Sequence, residues 1–272
     1  MEDDRKSTLV KYFGFPATLV HGDTLEFDRW SWLKQYLPTT RNGERLLDVG
    51  CGSGAFAIGA ALRGYTVVGL SWDERNQTVA ESRARLIGVK DIAFPVQDAR
   101  KLDERTDFRG SFDVVICLEV TEHILDDFKL FRDLAGCLKP GGRLLVTTPN
   151  RDYKAISPTD DGPFETVETG WHVRRGYTKT MLTELCQQAA LEVETIGYCS
   201  FFFSQTATKA FRTLRDRFGV AGWAAAFPLR LVPPLLDGWA GKRLSRPGFS
   251  ITLVAYKPRL NRSRHPGHED GG

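Results

Sequence analysis

The sequence is poor in cysteine and has no long hydrophobic run. Its five cysteines among 272 residues are an odd number without a C-x-x-C pair, which excludes a disulfide scaffold and predicts reduced, mostly buried thiols. The longest nearly uncharged stretch, from Phe218 to Leu229, is too short to cross a bilayer. The charged first residues are not followed by an apolar run, so no signal peptide is expected. These absences predict a cytoplasmic protein and leave open a peripheral contact with a membrane.

A strong net charge is also missing, but the small sum hides an asymmetry. The chain has 37 Lys and Arg against 34 Asp and Glu, a formal charge of +3. Residues 1–200 hold 25 basic and 30 acidic side chains, whereas residues 201–264 hold 12 basic and 2 acidic ones. A basic C-terminal quarter indicates contact with anions, nucleic acid or a membrane surface.

Short apolar segments alternate with helical segments in the first half of the chain. The segments with the composition of buried strands are 45–49, 65–70, 91–96, 112–118 and 143–148. This alternation predicts an α/β fold with a parallel sheet covered on both faces. Right-handed crossovers make such a sheet doubly wound. Its ligands bind beyond the carboxyl ends of the strands, where functional residues are therefore expected.

Two further strands, near 192–198 and 249–256, are separated by far more residues than a hairpin needs. The intervening residues therefore form an insertion, with a helical pattern, before the last strand. The predicted parts of the chain are an N-terminal helical cap at 1–44, a core at 45–199 and 248–257, the basic apolar insertion at 200–247 and a disordered tail at 258–272.

The insertion is both basic and apolar. From Thr206 to Phe218 the apolar residues share one helical face, while Lys209, Arg212 and Arg215 share the other. Further apolar and aromatic residues follow. This composition indicates a lid over a hydrophobic acceptor or a contact with a membrane surface, and a small extra core on the sheet edge is the plain alternative. Nucleic acid is the less expected partner, because the apolar residues are clustered rather than interleaved with basic ones.

A glycine-rich turn follows the first strand, with the sequence DVGCGSG from Asp48 to Gly54. Glycines there allow a sharp strand-to-helix turn and a close approach of the backbone to a ligand. The spacing is G-x-G-x-G rather than the G-x-G-x-x-G of dinucleotide binders. Asp48 would repel a pyrophosphate but would attract a cofactor that carries an ammonium group. Small residues at this turn would also suit a parallel sheet without any ligand.

Other motifs stand at the ends of the predicted strands. Together with the glycine turn they are LLDVGCGSG at 46–54, QDA at 97–99, FDVV at 112–115, EVTEH at 119–123, LKPGG at 138–142 and TTPN at 147–150. The chain thereby resembles the class I S-adenosylmethionine-dependent methyltransferases, over roughly residues 40–200 and the last strand. The most similar subgroup includes the ubiquinone-biosynthesis O-methyltransferases. The resemblance implies a Rossmann-like methyltransferase fold with a doubly wound, mostly parallel sheet of seven strands, and S-adenosylmethionine as the cofactor.

The resemblance also implies a set of cofactor-binding residues. They are Asp48, Gly50, Cys51, Gly52, Ser71, Trp72, Asp98, Ala99 and Leu118. One position departs from the family, because Ser71 stands where an acid usually holds both ribose hydroxyls. Ser71 could instead cap a helix with Glu74, and Asp73 could reach the ribose. Trp72 could lie against the adenine or simply in the core. The missing acid also argues against NAD, which requires it.

Methyl transfer to a hydroxyl needs a group that removes a proton. His123, after the fourth strand, and His172, in the loop after the fifth, are the candidate bases, since histidine titrates near neutral pH. Each could equally anchor the backbone. Tyr177 and Glu119 are weaker candidates and, with Trp171, are expected to contact the acceptor. No metal site is expected, because no H-x-x-x-H pattern or Cys/His cluster occurs.

Three functions compete. The first is a methyltransferase that acts on a small, lipophilic or glycan-linked acceptor, most often at oxygen. The second is an RNA methyltransferase that reads phosphate through the basic insertion. The third is a non-catalytic module that kept the fold and binds the cofactor. We expect the first, with a small-molecule acceptor, nucleic acid disfavoured and peripheral membrane contact through 200–247. The residues do not predict an oligomeric state.

Overall fold

The sheet has seven strands within the described residues, in the order β3-β2-β1-β4-β5-β7-β6. The computed structural model describes residues 2–20, 24–153, 161–226, 229, 236–237 and 247–259. The strands are β1 Arg45–Val49, β2 Thr66–Leu70, β3 Ile92–Ala93, β4 Phe112–Leu118, β5 Leu138–Pro149, β6 Glu192–Cys199 and β7 Ser250–Tyr256. Strands β1 to β5 pair in parallel, and β7 runs antiparallel between β5 and β6.

The predicted doubly wound, mostly parallel sheet is therefore confirmed, and its central strands β1 and β4 have the predicted bounds. The third strand is shorter than predicted, since it ends at Ala93 rather than at residue 96. Pro95 lies inside the predicted segment and has no N–H to donate to a ladder. Val96 consequently makes only an isolated bridge with Ser71.

The helices within the described residues lie on both faces of the sheet. They are α1 Glu2–Phe13, α2 Phe15–Val20, α3 Thr24–Leu33, α4 Ala55–Ala61, α5 Glu74–Ile87, α6 Asp127–Cys137, α7 Lys179–Gln188 and α8 Phe202–Ala225. Alternate residues of a strand point to opposite faces, so Leu47 packs with α6 and α7, whereas Leu46 packs with α3, α4 and α5. Each face of the sheet therefore has its own apolar core. The carboxyl ends of the strands lie at the edge of the sheet and are not covered by these helices.

Helix α8 belongs to the predicted insertion and is longer than the helical pattern of 206–218. Ala207 and Phe211 are buried, which agrees with a packed apolar face, but Phe218 is 56% exposed. Gly219, with φ 57° and ψ −131°, interrupts the helical backbone beyond it. Most of residues 227–246, and the predicted tail from residue 260 onward, lie outside the described residues.

Helices α3 and α8 meet at a buried pair of carboxylates. Asp237 accepts hydrogen bonds from the backbone N–H groups of Phe201 at 2.5 Å and Phe203 at 2.9 Å, and so stabilises the start of α8. Asp28 on α3 is buried nearby. Burial raises the pKa of Asp28 to about 7, and repulsion from Asp237 acts in the same direction. Asp28 hydrogen-bonds Ser204 of α8. The N-terminal helices are thus attached to the insertion through a carboxyl whose protonated form is favoured by burial.

We expect Asp28→Asn to stabilise the protein, by an amount that depends on pH. The folded state binds the Asp28 proton more tightly than the unfolded state does, so this group lowers the free energy of unfolding as pH rises from about 4 to about 7. The neutral amide removes that penalty, which is worth about 1–3 kcal/mol at pH 8 and less than half of that at pH 5. Urea unfolding at the two pH values measures the difference. Asp216→Asn, on the exposed side of α8, is the control, and an equal gain for Asp28→Asn at both pH values would contradict the prediction.

Candidate active site

A cavity of about 410 Å³ lies beyond the carboxyl ends of β1, β2 and β4. Eight of the predicted site residues line it, namely Gly50, Gly52, Ser71, Trp72, Asp98, Ala99, Glu119 and His123. Asp48, Cys51 and Leu118 are buried behind its wall. The cavity therefore stands where ligands of doubly wound sheets bind.

The glycine turn forms the end of the cavity nearest β1. Gly50 has φ 79°, and a Cβ atom there would come within 2.2 Å of a methyl carbon of Val120. Gly52 also has a positive φ but faces open space, with no heavy atom within 4 Å of an added Cβ. The first glycine is therefore required by packing, and the second leaves a bare stretch of backbone beside the cavity.

Asp48 provides a negative charge behind this turn. The side chain is 1% exposed, and its Oδ2 atom has no hydrogen-bond partner among the described residues. Burial raises the pKa of Asp48 to about 7. A cationic group in the cavity would favour the ionised form, so this end suits the ammonium group of S-adenosylmethionine.

The end of β2 lines the cavity as expected, but its hydrogen bonds differ from the predicted ones. The Ser71 hydroxyl accepts a hydrogen bond from the Asp73 N–H at 3.2 Å. Asp73, not Ser71, is the N-cap of α5, and the Asp73 carboxylate is held by the Arg75 guanidinium at 2.9 Å. The predicted capping box is wrong. Asn76, one turn into α5, also lines the cavity, so its amide is a candidate for the role of the missing acid.

Trp72 and Asp98 form the wall around the expected adenine position. Trp72 is 62% exposed, so the alternative that placed it in the core is wrong. Asp98 lines the cavity, but its carboxylate accepts from the Arg100 backbone and guanidinium at 2.9 Å. Burial alone would raise the pKa of Asp98; the hydrogen bonds from Arg100 outweigh it and lower the pKa. Arg100 also lines the cavity, which sequence reasoning missed.

The two predicted bases lie side by side at the other end of the cavity. The rings of His123 and His172 are 4.6 Å apart at 80°, and the Nε2 atom of each is 4.0 Å from Glu122 Oε1. His123 lines the cavity, and His172 does not. Burial holds the pKa of His123 below its ordinary value, so this imidazole is neutral near pH 7.

Glu122 is the buried partner of both histidines. It is 1% exposed and accepts a hydrogen bond from the Thr148 hydroxyl at 3.1 Å. Burial, followed by repulsion from Glu119, raises its pKa. One ligand atom from each of Glu122, His123 and His172 lies within 4.8 Å of the other two. The structure thus assembles a group that could hold a metal ion, although no metal site was expected from the sequence, because one member comes from a distant loop.

Glu119 has an unexpected partner in the N-terminal helices. It follows β4 with φ 55°, and its Oε2 atom lies 2.9 Å from the Arg29 guanidinium of α3. Arg29 is a cation brought to the cavity wall from outside the core, which the motifs could not indicate. Its proximity offsets the charge of Glu119 next to buried Glu122.

Tyr177 does not have the position that was predicted for it. It is 0% exposed, within the core between the sheet and α7. Its hydroxyl donates to Asp127 at 2.8 Å, and burial raises its pKa strongly. The predicted contact with an acceptor is wrong, because the aromatic ring is enclosed by apolar side chains. Trp171 is 71% exposed and lies outside the cavity wall.

The cavity and the doubly wound sheet define a Rossmann-like cofactor-binding protein. A family model described as a methyltransferase domain matches residues 26–196. The chain belongs to this family. It is 40% identical over 114 residues to a ubiquinone biosynthesis O-methyltransferase of Marinobacter nauticus, which covers 42% of this chain and 48% of that protein. It is 33% identical over 170 residues to the protein of the same name from Neisseria meningitidis, which covers 60% and 71%.

Solved structures extend the likeness to most of the chain. The [4+2]-cyclase SpnF superposes with a TM-score of 0.58 at 25% identity and covers 85% of this chain and 82% of its own. Phosphoethanolamine N-methyltransferase 2 of Haemonchus contortus, with S-adenosyl-L-methionine, gives 0.59 at 20% identity and covers 85% and 52%. The second likeness concerns the fold alone. The chain spans about half the length of the Marinobacter relative that it matches.

We expect Asn76→Ala to weaken the binding of S-adenosylhomocysteine about three- to tenfold, because one hydrogen bond to the ribose is worth about 1 kcal/mol. Asp73 is occupied by Arg75, and the short Ser71 hydroxyl offers a single donor. Isothermal titration calorimetry measures the affinity. Thr78→Ala, on the exposed side of α5, is the matched control. Equal affinities of Asn76→Ala and wild type would show that another group holds the ribose.

Proposed function

We propose that the protein transfers a methyl group from S-adenosylmethionine to an oxygen atom of a small acceptor. One observation carries this proposal above the others. A single cavity is lined both by a glycine turn backed by Asp48 and by a neutral histidine beside buried Glu122. The turn suits a cationic cofactor, and the histidine suits removal of a proton from a hydroxyl.

S-adenosylmethionine supplies an electrophilic methyl group on a sulfonium, so the protein mainly has to bind and align. The backbone at Gly50 and Gly52 would hold the amino-acid end, with Asp48 behind it. Asn76 would hold the ribose, and Trp72 with Ala99 would enclose the adenine. These residues lie on separate strands and loops, and each lines the cavity or the wall directly behind it.

His123 is the residue that we assign as general base. It lines the cavity, whereas His172 does not. A neutral imidazole can accept the proton of an acceptor hydroxyl as the methyl group arrives. The imidazolium that results would favour the ionised form of Glu122, which burial otherwise disfavours, so the two charges would stabilise each other, with His172 in ring contact. The 4.0 Å separations are too long for hydrogen bonds, so this support is electrostatic.

Two observations support our inference about the class of acceptor. The relatives from Marinobacter nauticus and Neisseria meningitidis are named ubiquinone biosynthesis O-methyltransferases. The insertion exposes phenyl groups at Phe202 and Phe218. Both favour a lipophilic acceptor with a hydroxyl group over a glycan-linked one.

A function without methyl transfer has one specific observation in its favour. A solved structure that resembles this chain is that of a [4+2]-cyclase, so a similar fold accompanies another named activity. The paired histidines favour the methyltransferase, since a base at this place serves proton removal. Transfer of a labelled methyl group from S-adenosylmethionine to extracted small molecules and lipids distinguishes methyl transfer from a function without it. Tight cofactor binding without any labelled product would favour the cofactor-binding module.

We expect His123→Ala to lower kcat about 10²-fold or more, as loss of a general base does, while the affinity for S-adenosylhomocysteine changes less than about threefold. His172→Ala should cost less, because it supports the base rather than acting as one. A labelled-methyl assay and calorimetry give the two quantities. Full turnover by His123→Ala would remove the base assignment.

The same variants have to be compared with and without a chelator. If EDTA abolishes wild-type turnover and a divalent cation restores it, the Glu122, His123 and His172 group acts by holding that cation. If EDTA has no effect, proton removal by His123 stands as proposed. The two results separate the chemistry of one site without changing its residues.

Peripheral contact of the insertion with a membrane is part of the proposal. Phe218 and Val220 are 56% and 71% exposed at the far part of α8, and Arg215 and Arg217 directly precede them in the sequence. Exposed apolar groups beside cations suit the interface of an anionic bilayer. No α-helix in the described part of the chain is long and apolar enough to cross a membrane. Nucleic acid is the disfavoured partner, because phenyl and isopropyl groups occupy this surface.

We expect the protein to sediment with vesicles that contain phosphatidylglycerol and to be released by high salt, since Debye screening weakens the cationic contribution. Phe218→Ser with Val220→Ser should reduce the bound fraction severalfold at every salt concentration. Tyr12→Ser with Phe13→Ser, which removes equally exposed rings from α1, is the matched control. An equal loss with both pairs, or tighter binding to RNA than to vesicles, would contradict this surface.

A further inference from the structure

A strap of ten residues, 165–174, crosses the opening of the cavity. Three of them, Glu168, Thr169 and Gly170, line the cavity together with the glycine turn. The strap is closed on itself, since the Glu165 N–H donates to the His172 carbonyl at 3.1 Å. It therefore behaves as a compact loop, with cavity-lining residues in its middle and His172 near its end.

The strap is bound at its centre by one arginine. Arg100 Nη1 lies 2.8 Å from Glu168 Oε2, while the Arg100 Nε atom donates to Asp98 at 2.9 Å. The guanidinium thus joins the loop after β3 to the strap, across 68 positions of sequence. Lys129 fixes the backbone of Arg100 from α6, with Nζ to carbonyl oxygen at 2.8 Å.

The other attachments of the strap lead to the segment after β4. Glu168 Oε1 accepts from the Leu125 N–H at 2.6 Å, and the Val173 N–H donates to the Glu122 carbonyl at 2.9 Å. Arg174 Nη2 donates to the carbonyl of Leu125 at 2.8 Å. Glu168 therefore connects both walls of the cavity, one carboxylate oxygen to each.

The strap also touches both functional ends of the cavity. An added Cβ at Gly170, where φ is 100°, would lie 3.3 Å from the Trp72 ring, so the backbone passes directly over the wall of the adenine end. Two residues later, His172 stands 4.6 Å from His123. A displacement of this loop would uncover the adenine end and separate the two histidines together.

We propose that Arg100 and Glu168 are positioning residues, whose ion pair clasps the strap over the cavity and so controls both how long the cofactor stays and where His172 stands. Only the part of this inference that concerns His172 rests on the proposed function. The retention of a bound nucleoside follows from the clasp whether or not a methyl group is transferred.

A purely local role of Arg100 makes a different prediction. Asp98 is the N-cap of the short 3-10 helix Ala99–Glu104, and Arg100 could serve only to hold that turn. In that case loss of Glu168 would leave the cofactor unaffected, and loss of Arg100 would act alone. If the clasp acts as proposed, the effects of the two substitutions are coupled.

The test uses Arg100→Gln, Glu168→Gln and the double variant of the full chain. Each is loaded with S-adenosylhomocysteine and chased with excess labelled S-adenosylmethionine, and the dissociation rate is measured by stopped flow. A partly exposed ion pair corresponds to a rate increase of about two- to fivefold. We expect this increase for each single variant, with the double variant no faster than Arg100→Gln. Salt should speed dissociation from wild type and not from the variants.

The matched control is Arg105→Gln, which breaks an equivalent pair with Asp107, 2.7 Å apart, outside the cavity. It should leave the dissociation rate and its salt dependence unchanged. Multiplicative effects in the double variant, or wild-type dissociation in Glu168→Gln, would overturn the clasp.

The steady-state assay then separates the two proposals: the clasp predicts a raised KM for S-adenosylmethionine together with a lowered kcat. Absence of any turnover in wild type, with the dissociation results as expected, would refute the proposed function and leave the clasp standing.

Discussion

The turn after β1 is the constraint on which the rest of the site depends. The backbone N–H groups of Gly50 and Cys51 both donate to the Leu70 carbonyl, at 2.9 and 2.8 Å. These two hydrogen bonds to one carbonyl connect the end of β1 to the end of β2. Val120, after β4, covers Gly50 so closely that only a glycine fits. Three strand ends are thereby held in one arrangement around the cavity.

Buried carboxyl groups at these strand ends are a cost that the fold carries. Asp48, Glu122 and, farther out, Asp28 all have raised pKa values, chiefly because burial disfavours their charge. Each therefore weakens the folded state as pH rises toward neutrality. A cation beside Asp48 would offset this cost, so binding of a positively charged cofactor and stability of the folded state are expected to support each other. Sites of this kind are commonly less stable than their surroundings for functional reasons.

The parts of the site that sequence reasoning found are those that follow strands. Strand ends are visible as apolar segments that stop at glycine, aspartate or serine, so Gly50, Asp98 and His123 could be placed on one cavity. The parts that were missed depend on contacts between distant segments. Neither Arg100 with Glu168 nor Arg29 with Glu119 has a spacing pattern. Asn76 could have been found, since it lies one turn into the helix that follows β2. Tyr177 was misplaced because its position in the sequence gives no sign of the apolar cluster that encloses its ring or of the distant Asp127 that accepts from its hydroxyl.

The question of which reaction occurs and the question of which acceptor is used concern different parts of the chain. The family match at 26–196 covers the sheet ends that bind a cofactor, but it stops before α8. Yet α3, whose Arg29 holds Glu119 at the cavity wall, packs its Asp28 against the start of α8 beside Asp237. A change in the insertion would therefore reach the helix whose Arg29 offsets the charge of Glu119 at the cavity wall. Under the proposed function, specificity for the acceptor can diverge through α3 and α8 while the strand ends stay the same.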